Sequence, residues 1–213
     1  KKAPHNIGNG EHEISRNLTV INDLVDRSLI RPAIYPSDED YKKIQLYNKD
    51  KYICIAPTSV WYTKQFPAEK WIELLNKLPE SFSVRLLGGP DDYETCQKIL
   101  EAAKHPGILN LAGKISLKQT AALMEGAAMN YVNDSAPLHL ASAMNAPVTA
   151  IFCSTVPRFG FFPVSDQSTV IETKETLDCR PCGLHGYKAC PQEHFKCAMT
   201  IGTDQLLAQL EEL

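Results

Sequence analysis

Residues Asn130 to Phe152, NYVNDSAPLHLASAMNAPVTAIF, leave the chain few choices of fold. Met129 to Val132 reads as a buried strand and Asn133-Asp134-Ser135 as a polar turn. A helix opens with Pro137, and Val148 to Phe152 is a second apolar strand. This is a strand–turn–helix–strand unit whose turn lies at the carboxyl end of its strand. Ser135 or Asp134 can cap the helix, and Pro137 falls in the first turn, where a missing N–H costs little. A helix start also offers free N–H groups and a partial positive charge, which suit a phosphate. His139 follows Ser135 by one helical turn and shares its face. Taken alone, the stretch reads equally well as two caps and a buried helix histidine.

The rest of the chain repeats the alternation. From Tyr52 to Ala56 runs a short apolar strand, and Ala68 to Leu78 is an amphipathic helix introduced by Pro67. Ser83 to Leu87 is the next strand, followed by GGPDD and a helix from Tyr93 to Ala103. Ile108 to Leu111 is a strand, Ser116 to Gly126 a helix, Thr169 to Glu172 a sixth strand and Thr203 to Leu213 a closing helix. Such alternation predicts a Rossmann-like α/β fold, a parallel sheet with helices on both faces, over residues 51–213. Residues 1–50 differ. KKAPHNIGNGE reads as a loop, the apolar spacing from Glu13 to Leu29 predicts one helix, and Asp40 to Tyr47 predicts a second. This part reads as a helical connector, not a complete domain.

Composition excludes several classes. A net charge of −3 with no basic block argues against a nucleic-acid partner. No apolar run approaches the roughly 20 residues of a membrane span, and no signal peptide opens the chain. It begins Lys1-Lys2-Ala3 without methionine, as a fragment or processed product would.

In an open α/β sheet, ligands bind outside the carboxyl ends of the strands. The residues following the strands are Pro57-Thr58-Ser59, Gly88-Gly89-Pro90-Asp91, Ala112-Gly113-Lys114, Asn133-Asp134-Ser135 and Ser154-Thr155. Each loop alone is an ordinary turn. Together they place small, hydroxylated and glycine residues along one edge, where backbone N–H groups can approach an anion. Lys64 adds a positive charge to that edge. Neither G-x-G-x-x-G nor G-x-x-x-x-G-K-[ST] is present, so a Rossmann dinucleotide enzyme and a P-loop NTPase are disfavoured. A phosphate-bearing ligand held by one half of a larger cleft fits better.

Four motifs carry a resemblance: APTSVWYTKQFPAEKW (Ala56 to Trp71), LLGGPDD (Leu86 to Asp92), NLAGKISLKQTAALM (Asn110 to Met124) and VNDSAPLHLASAMNAPVTAIFCST (Val132 to Thr155). In order and spacing they resemble glycosyltransferase family 9, the ADP-heptose:lipopolysaccharide heptosyltransferases, over about residues 52–213. The resemblance implies the C-terminal, sugar-nucleotide-binding half of a two-domain GT-B enzyme, preceded by its interdomain connector. The N-terminal half, with the acceptor site and a catalytic aspartate as general base, would lie outside this sequence. Carried over by motif, Thr58 and Ser59 match the hydroxyl pair at the diphosphate, and Lys64 the lysine that offsets charge on the leaving group. Asp134, Ser135 and Ala136 match the turn where the helix start meets phosphate and sugar, and His139 the histidine one turn on. Ala136 stands where the family often has glycine. The resemblance further implies an ADP-heptose-like donor, a lipopolysaccharide core acceptor, no cofactor for catalysis, and a cytoplasmic setting, peripheral at the inner membrane.

Of seven cysteines, Cys54, Cys96 and Cys153 sit singly in apolar or helical contexts and read as core. The other four, Cys179, Cys182, Cys190 and Cys197, lie in CRPCGLHGYKACPQEHFKC with His185 and His194 between them. C-x2-C-x7-C-x6-C suits a tetrahedral zinc site, and disulfides or free thiols are also compatible. A cytoplasmic setting, implied by the family, disfavours disulfides. Three functions follow: an inverting glycosyltransferase, a noncatalytic sugar-nucleotide-binding module, or a metal or redox protein built on the cysteines. The last requires low-pKa thiols, and only Arg180, Lys188 and Lys196 are cationic nearby.

Overall fold

A computed structural model describes residues 7–25 and 30–211. Six strands form one parallel sheet: β1 (Tyr52–Ala56), β2 (Ser83–Leu86), β3 (Ile108–Asn110), β4 (Met129–Asn133), β5 (Val148–Phe152) and β6 (Ser168–Glu172). Their order across the sheet is β3-β2-β1-β4-β5-β6. The helices are α1 (Glu13–Leu18), α2 (Asp38–Ile44), α3 (Ala68–Lys77), α4 (Tyr93–Ala102), α5 (Leu117–Glu125), α6 (Ala136–Ala143), α7 (Lys196–Met199) and α8 (Thr203–Glu211).

Strand pleating sorts the core into two layers. From β1, Ile53 and Ile55 pack with Trp71, Leu74 and Leu75 of α3, Cys96 and Ile99 of α4, and Leu206 of α8. Tyr52, Cys54 and Ala56 point the other way, towards Ile44 of α2, Leu123 and Met124 of α5, and Leu138 and Ala141 of α6. Both faces of β1 are therefore dry, which explains its unbroken apolar run. Full burial of a side chain such as Leu74 or Ile55 stabilises the fold by about 1.5–3 kcal/mol. Cys54, Cys96 and Cys153 are wholly buried, as core residues should be. Among the described residues no helix is long and apolar enough to cross a membrane.

The first 50 residues diverge from the expected helices. α1 ends at Leu18 and passes into a 3-10 turn, Thr19–Ile21, where a helix to Leu29 was expected; residues 26–29 of that expectation lie outside the described residues. The apolar spacing continues, yet Leu24 is 83% exposed, and a helix this short gains little without a surface to bury against. α2 starts earlier than Asp40 because Ser37 and Asp40 form a capping box. The segment around α1 packs on the loop after β5. His12 caps α1, accepting from Ile14 N–H through Nδ1, while its Nε2 lies 3.0 Å from Phe162 O. Arg16, 1% exposed, donates to Phe159 O and Glu11 O and pairs with Glu13. Gly160, at φ 93°, lets that loop pass Glu11 O, which a Cβ would meet at 2.2 Å.

Candidate active site

Strand order reverses direction between β1 and β4: β2 and β3 lie to one side, β5 and β6 to the other. The crevice at the carboxyl ends of β1 and β4 is where an open α/β sheet takes its ligand. Asn133, the last residue of β4, is fully buried and ties the two strand ends together. Its Nδ2 donates to Ala56 O and Thr58 O, each at 3.3 Å, and its Oδ1 accepts from Phe66 N–H at 2.8 Å. One amide thus fixes both ends of the loop that carries Thr58, Ser59 and Lys64.

Lys64 closes a 3-10 turn, Tyr62–Lys64. Its ammonium lies 2.7 Å from Asp134 Oδ2, with side chains 15% and 7% exposed. Thr155 Oγ1 donates to the same carboxylate oxygen at 2.6 Å. The sequence reading placed Lys64 and Asp134 on one edge; the structure joins them as an ion pair.

A cleft of about 580 Å³ begins at Ser135, next to Asp134 in the chain, walled by Thr58, Ser59 and Val60 after β1, Gly88 to Asp92 after β2, Ile115, Leu117 and Thr120 at α5, and Ser135, Ala136, Pro137 and Leu140 at α6; Lys64 and Asp134 themselves do not line it. That volume suits a nucleotide-sized ligand. Three of the five loops therefore line one cavity. Gly113, in the third loop, sits behind it: at φ 70° its N–H bonds Gly88 O, and a Cβ would meet Pro90 Cα at 2.8 Å. Its contribution is to support the Gly88–Pro90 turn. Ser154 and Thr155, in the fifth loop, are buried beneath the site as braces. Asp92 accepts from Gly89 N–H at 2.7 Å, closing its own turn; no side chain caps α4 at Tyr93.

The helix start also departs from expectation. Neither Ser135 nor Asp134 caps α6: Ser135 Oγ instead donates to Asn133 O at 3.4 Å. No side chain therefore accepts from the first turn of α6; Pro137 has no N–H and Leu138 N–H bonds Ser135 O at 3.0 Å, so the Ala136 N–H is the group left for an anion.

His139 lies apart from the cleft, lining a second cavity of about 260 Å³ with His12, Asn17, Ser142 and Phe161. The residue is exposed, yet crowding within that concave surface lowers its pKa below 6.5. Asp134 pulls the value up, while His12 and Lys64 push it down. His12, from the connector, was not anticipated as a neighbour of the site; only its place in the fold reveals it.

The cysteine segment docks beside Lys64. Arg180 donates to Cys153 O at 2.7 Å, Phe152 O at 3.0 Å and Thr155 O at 2.7 Å, and pairs with Glu172. Cys182 N–H bonds Ser154 O at 2.8 Å. The four thiols do not converge: among the described residues no group of three or more His, Cys, Asp or Glu could hold a metal ion. Cys179 Sγ lies 4.0 Å from His194 Nε2, and Cys182 Sγ donates to Cys179 O. Burial, followed by neighbouring thiols, raises the pKa of Cys182 and pushes Cys197 up to about 12. A thiol held protonated is a poor nucleophile, which counts against redox chemistry at these two.

The family described as glycosyltransferase family 9 (heptosyltransferase) matches residues 1–187. Lipopolysaccharide heptosyltransferase 3 of Escherichia coli K12 is 30% identical over 155 residues, 68% of this chain and 45% of that protein. The chain thus spans about half the length of that relative. The solved structure of E. coli ADP-heptose lps heptosyltransferase II superposes with a TM-score of 0.76 at 22% identity, covering 95% of this chain and 61% of that one. The dodecameric iron-containing heptosyltransferase TibC of enterotoxigenic E. coli, solved with ADP-D-beta-D-heptose, gives 0.56 at 20% identity, covering 77% and 45%.

Proposed function

Because the chain belongs to glycosyltransferase family 9 (heptosyltransferase), we propose that it is the donor-binding half of an inverting glycosyltransferase acting in lipopolysaccharide core synthesis. In this reading the donor is a nucleoside diphosphate heptose, of the ADP-heptose kind that the relatives' names carry. The nucleoside lies in the cleft between the Gly88–Asp92 turn and α5. The diphosphate reaches the uncapped start of α6, against Thr58, Ser59, Ser135 and Ala136. Lys64, held by Asp134, offsets the charge that grows on the departing diphosphate. The observation that carries this is the Lys64–Asp134 pair beside an open cleft at the sheet's switch point.

Residues 1–50 act as the connector to an N-terminal half that supplies the acceptor site and general base. The lipopolysaccharide acceptor would bring the whole enzyme to the cytoplasmic face of the inner membrane. Catalysis requires no cofactor. For Cys179, Cys182, Cys190 and Cys197 a structural zinc ion is retained as a proposal from their spacing. It demands that the sulfurs close on one centre, which they do not do in this structure.

Calorimetric titration of the chain with ADP, beside guanosine and uridine diphosphates, tests the reading. ADP should bind and raise the melting temperature. Absence of binding by any nucleoside diphosphate would remove the donor-site assignment. A noncatalytic module would bind equally well, and only turnover by the complete gene product separates the two.

A further inference from the structure

The turn that carries Lys64 makes little structure of its own. It is a three-residue 3-10 turn with no side-chain cap, and short 3-10 pieces depend on their surroundings. Those surroundings include, on two sides, the cysteine-bearing segment. Thr63 N–H bonds Tyr187 O at 3.1 Å, and Tyr187 N–H returns to Thr63 Oγ1 at 2.8 Å. Ser154 Oγ donates to the same hydroxyl at 3.0 Å, and Thr63 is 1% exposed. On the other side, the Tyr62 ring stacks on Phe195, with centroids 5.2 Å apart. Gly186, at φ 80°, brings the segment so close that a Cβ there would meet Thr63 Oγ1 at 2.9 Å and Lys64 Cγ at 3.1 Å.

We propose that the cysteine-bearing segment is a buttress outside the nucleotide cleft and that Thr63 is the positioning residue through which it holds Lys64. A lysine ammonium rides on a flexible four-carbon stem, so its aim depends on where its backbone is pinned. Thr63 is that pin: one hydroxyl receives donors from the cysteine segment and from the loop after β5. The same segment, through Arg180, fixes the Thr155 carbonyl, whose side chain steadies Asp134. Both members of the ion pair are thus referred to one external support. This rests on the reading that Lys64 meets the diphosphate.

Calorimetric titration with ADP of the whole chain, in a double-mutant cycle, tests the idea. Thr63→Val keeps the shape and removes the hydroxyl; it should weaken ADP binding about tenfold, while Thr63→Ser retains affinity. In a Lys64→Ala background Thr63→Val should cost nothing further, because the group it positions is gone. If Thr63→Val loses the fold by circular dichroism, Gly186→Ala replaces it and should show the same dependence on Lys64. Equal losses in both backgrounds would make Thr63 or Gly186 merely structural and overturn the inference. So would unchanged affinity in Thr63→Val while Lys64→Ala binds weakly. If Lys64→Ala itself binds ADP normally, the donor reading of Lys64 fails first, and the inference falls with it.

Discussion

Lys64 Nζ and Thr155 Oγ1 converge on one oxygen, Asp134 Oδ2, at 2.7 and 2.6 Å. Three loops, after β1, β4 and β5, meet at that atom. The carboxylate has two partners and is nearly buried, so it behaves as an anchor for the lysine.

Lys64→Ala is therefore expected to have two separable effects. It should weaken nucleoside diphosphate binding by roughly 1.5–3 kcal/mol, the value of a charge-assisted bond. It should also destabilise the chain by about 3 kcal/mol, because Asp134 is left a buried charge with only Thr155 for support. Adding Asp134→Asn should restore part of the stability and none of the affinity. Urea melts and calorimetry on the two variants check both halves.

Asn133 offers a second test. Asn133→Ala leaves Phe66 N–H without its acceptor in a fully buried place, which costs about 1–3 kcal/mol. It also frees the Thr58 carbonyl, so ADP affinity should fall with stability. A variant as stable as the parent would show that water replaces the amide.

The sequence carried the strands well and the site only in outline. β1 and β5 match their expected limits because each is a short apolar run stopped by turn residues. The Glu13 to Leu29 expectation failed because helical spacing says nothing about whether a surface exists to cover Ile21 and Leu24. Loop composition pointed to the sheet edge where the cleft lies, since glycine and hydroxyl residues after a strand have a local signature. The ion pair had none: Lys64 and Asp134 are far apart in sequence and meet only through the β1–β4 pairing. His12 and Thr63 were invisible for the same reason.

His12 sets an acid limit on stability. Burial, the largest cause, lowers its pKa below 6.5, with Arg16 adding to the effect against Phe162 O and Glu13. In the fold Nδ1 accepts from Ile14 N–H, so the ring is neutral and protonation breaks that bond. The unfolded chain takes up its proton near 6.5, before the folded one, so stability is complete above that value and falls as pH drops through the folded pKa. His139, also lowered, contributes with the same sign. Urea midpoints measured from about pH 7.5 down to 5.5 should decline in the parent and decline less in His12→Gln. An identical slope in the variant would exclude His12 as a source.

For the cysteine segment, the zinc proposal predicts about one equivalent of metal per chain by elemental analysis. Chelation should then loosen residues 179–197, read as faster amide exchange. Metal-free protein would end the proposal: four titratable thiols would leave the open arrangement seen here as the resting one, and two disulfides would replace it.

The last expectation is that this chain alone transfers no sugar. Inverting transfer needs a general base beside the acceptor hydroxyl, opposite the leaving diphosphate. The carboxylates near the cleft are Asp91, Asp92 and Asp134. Asp134 is held by Lys64 and Thr155, and Asp92 by Gly89 N–H. Asp91 is exposed on the Gly88–Asp92 turn, which on the proposed reading is the nucleoside end of the cleft, away from the reacting carbon. An acceptor half would also supply orientation, which can lower a barrier by about 7–11 kcal/mol. Incubation with ADP-heptose and lipopolysaccharide core acceptor should therefore give no product above background, even where calorimetry shows ADP bound. Turnover that survives Asp134→Asn and disappears in Asp91→Asn would place the base on the Gly88–Asp92 turn, and the division of labour between two halves would have to be abandoned.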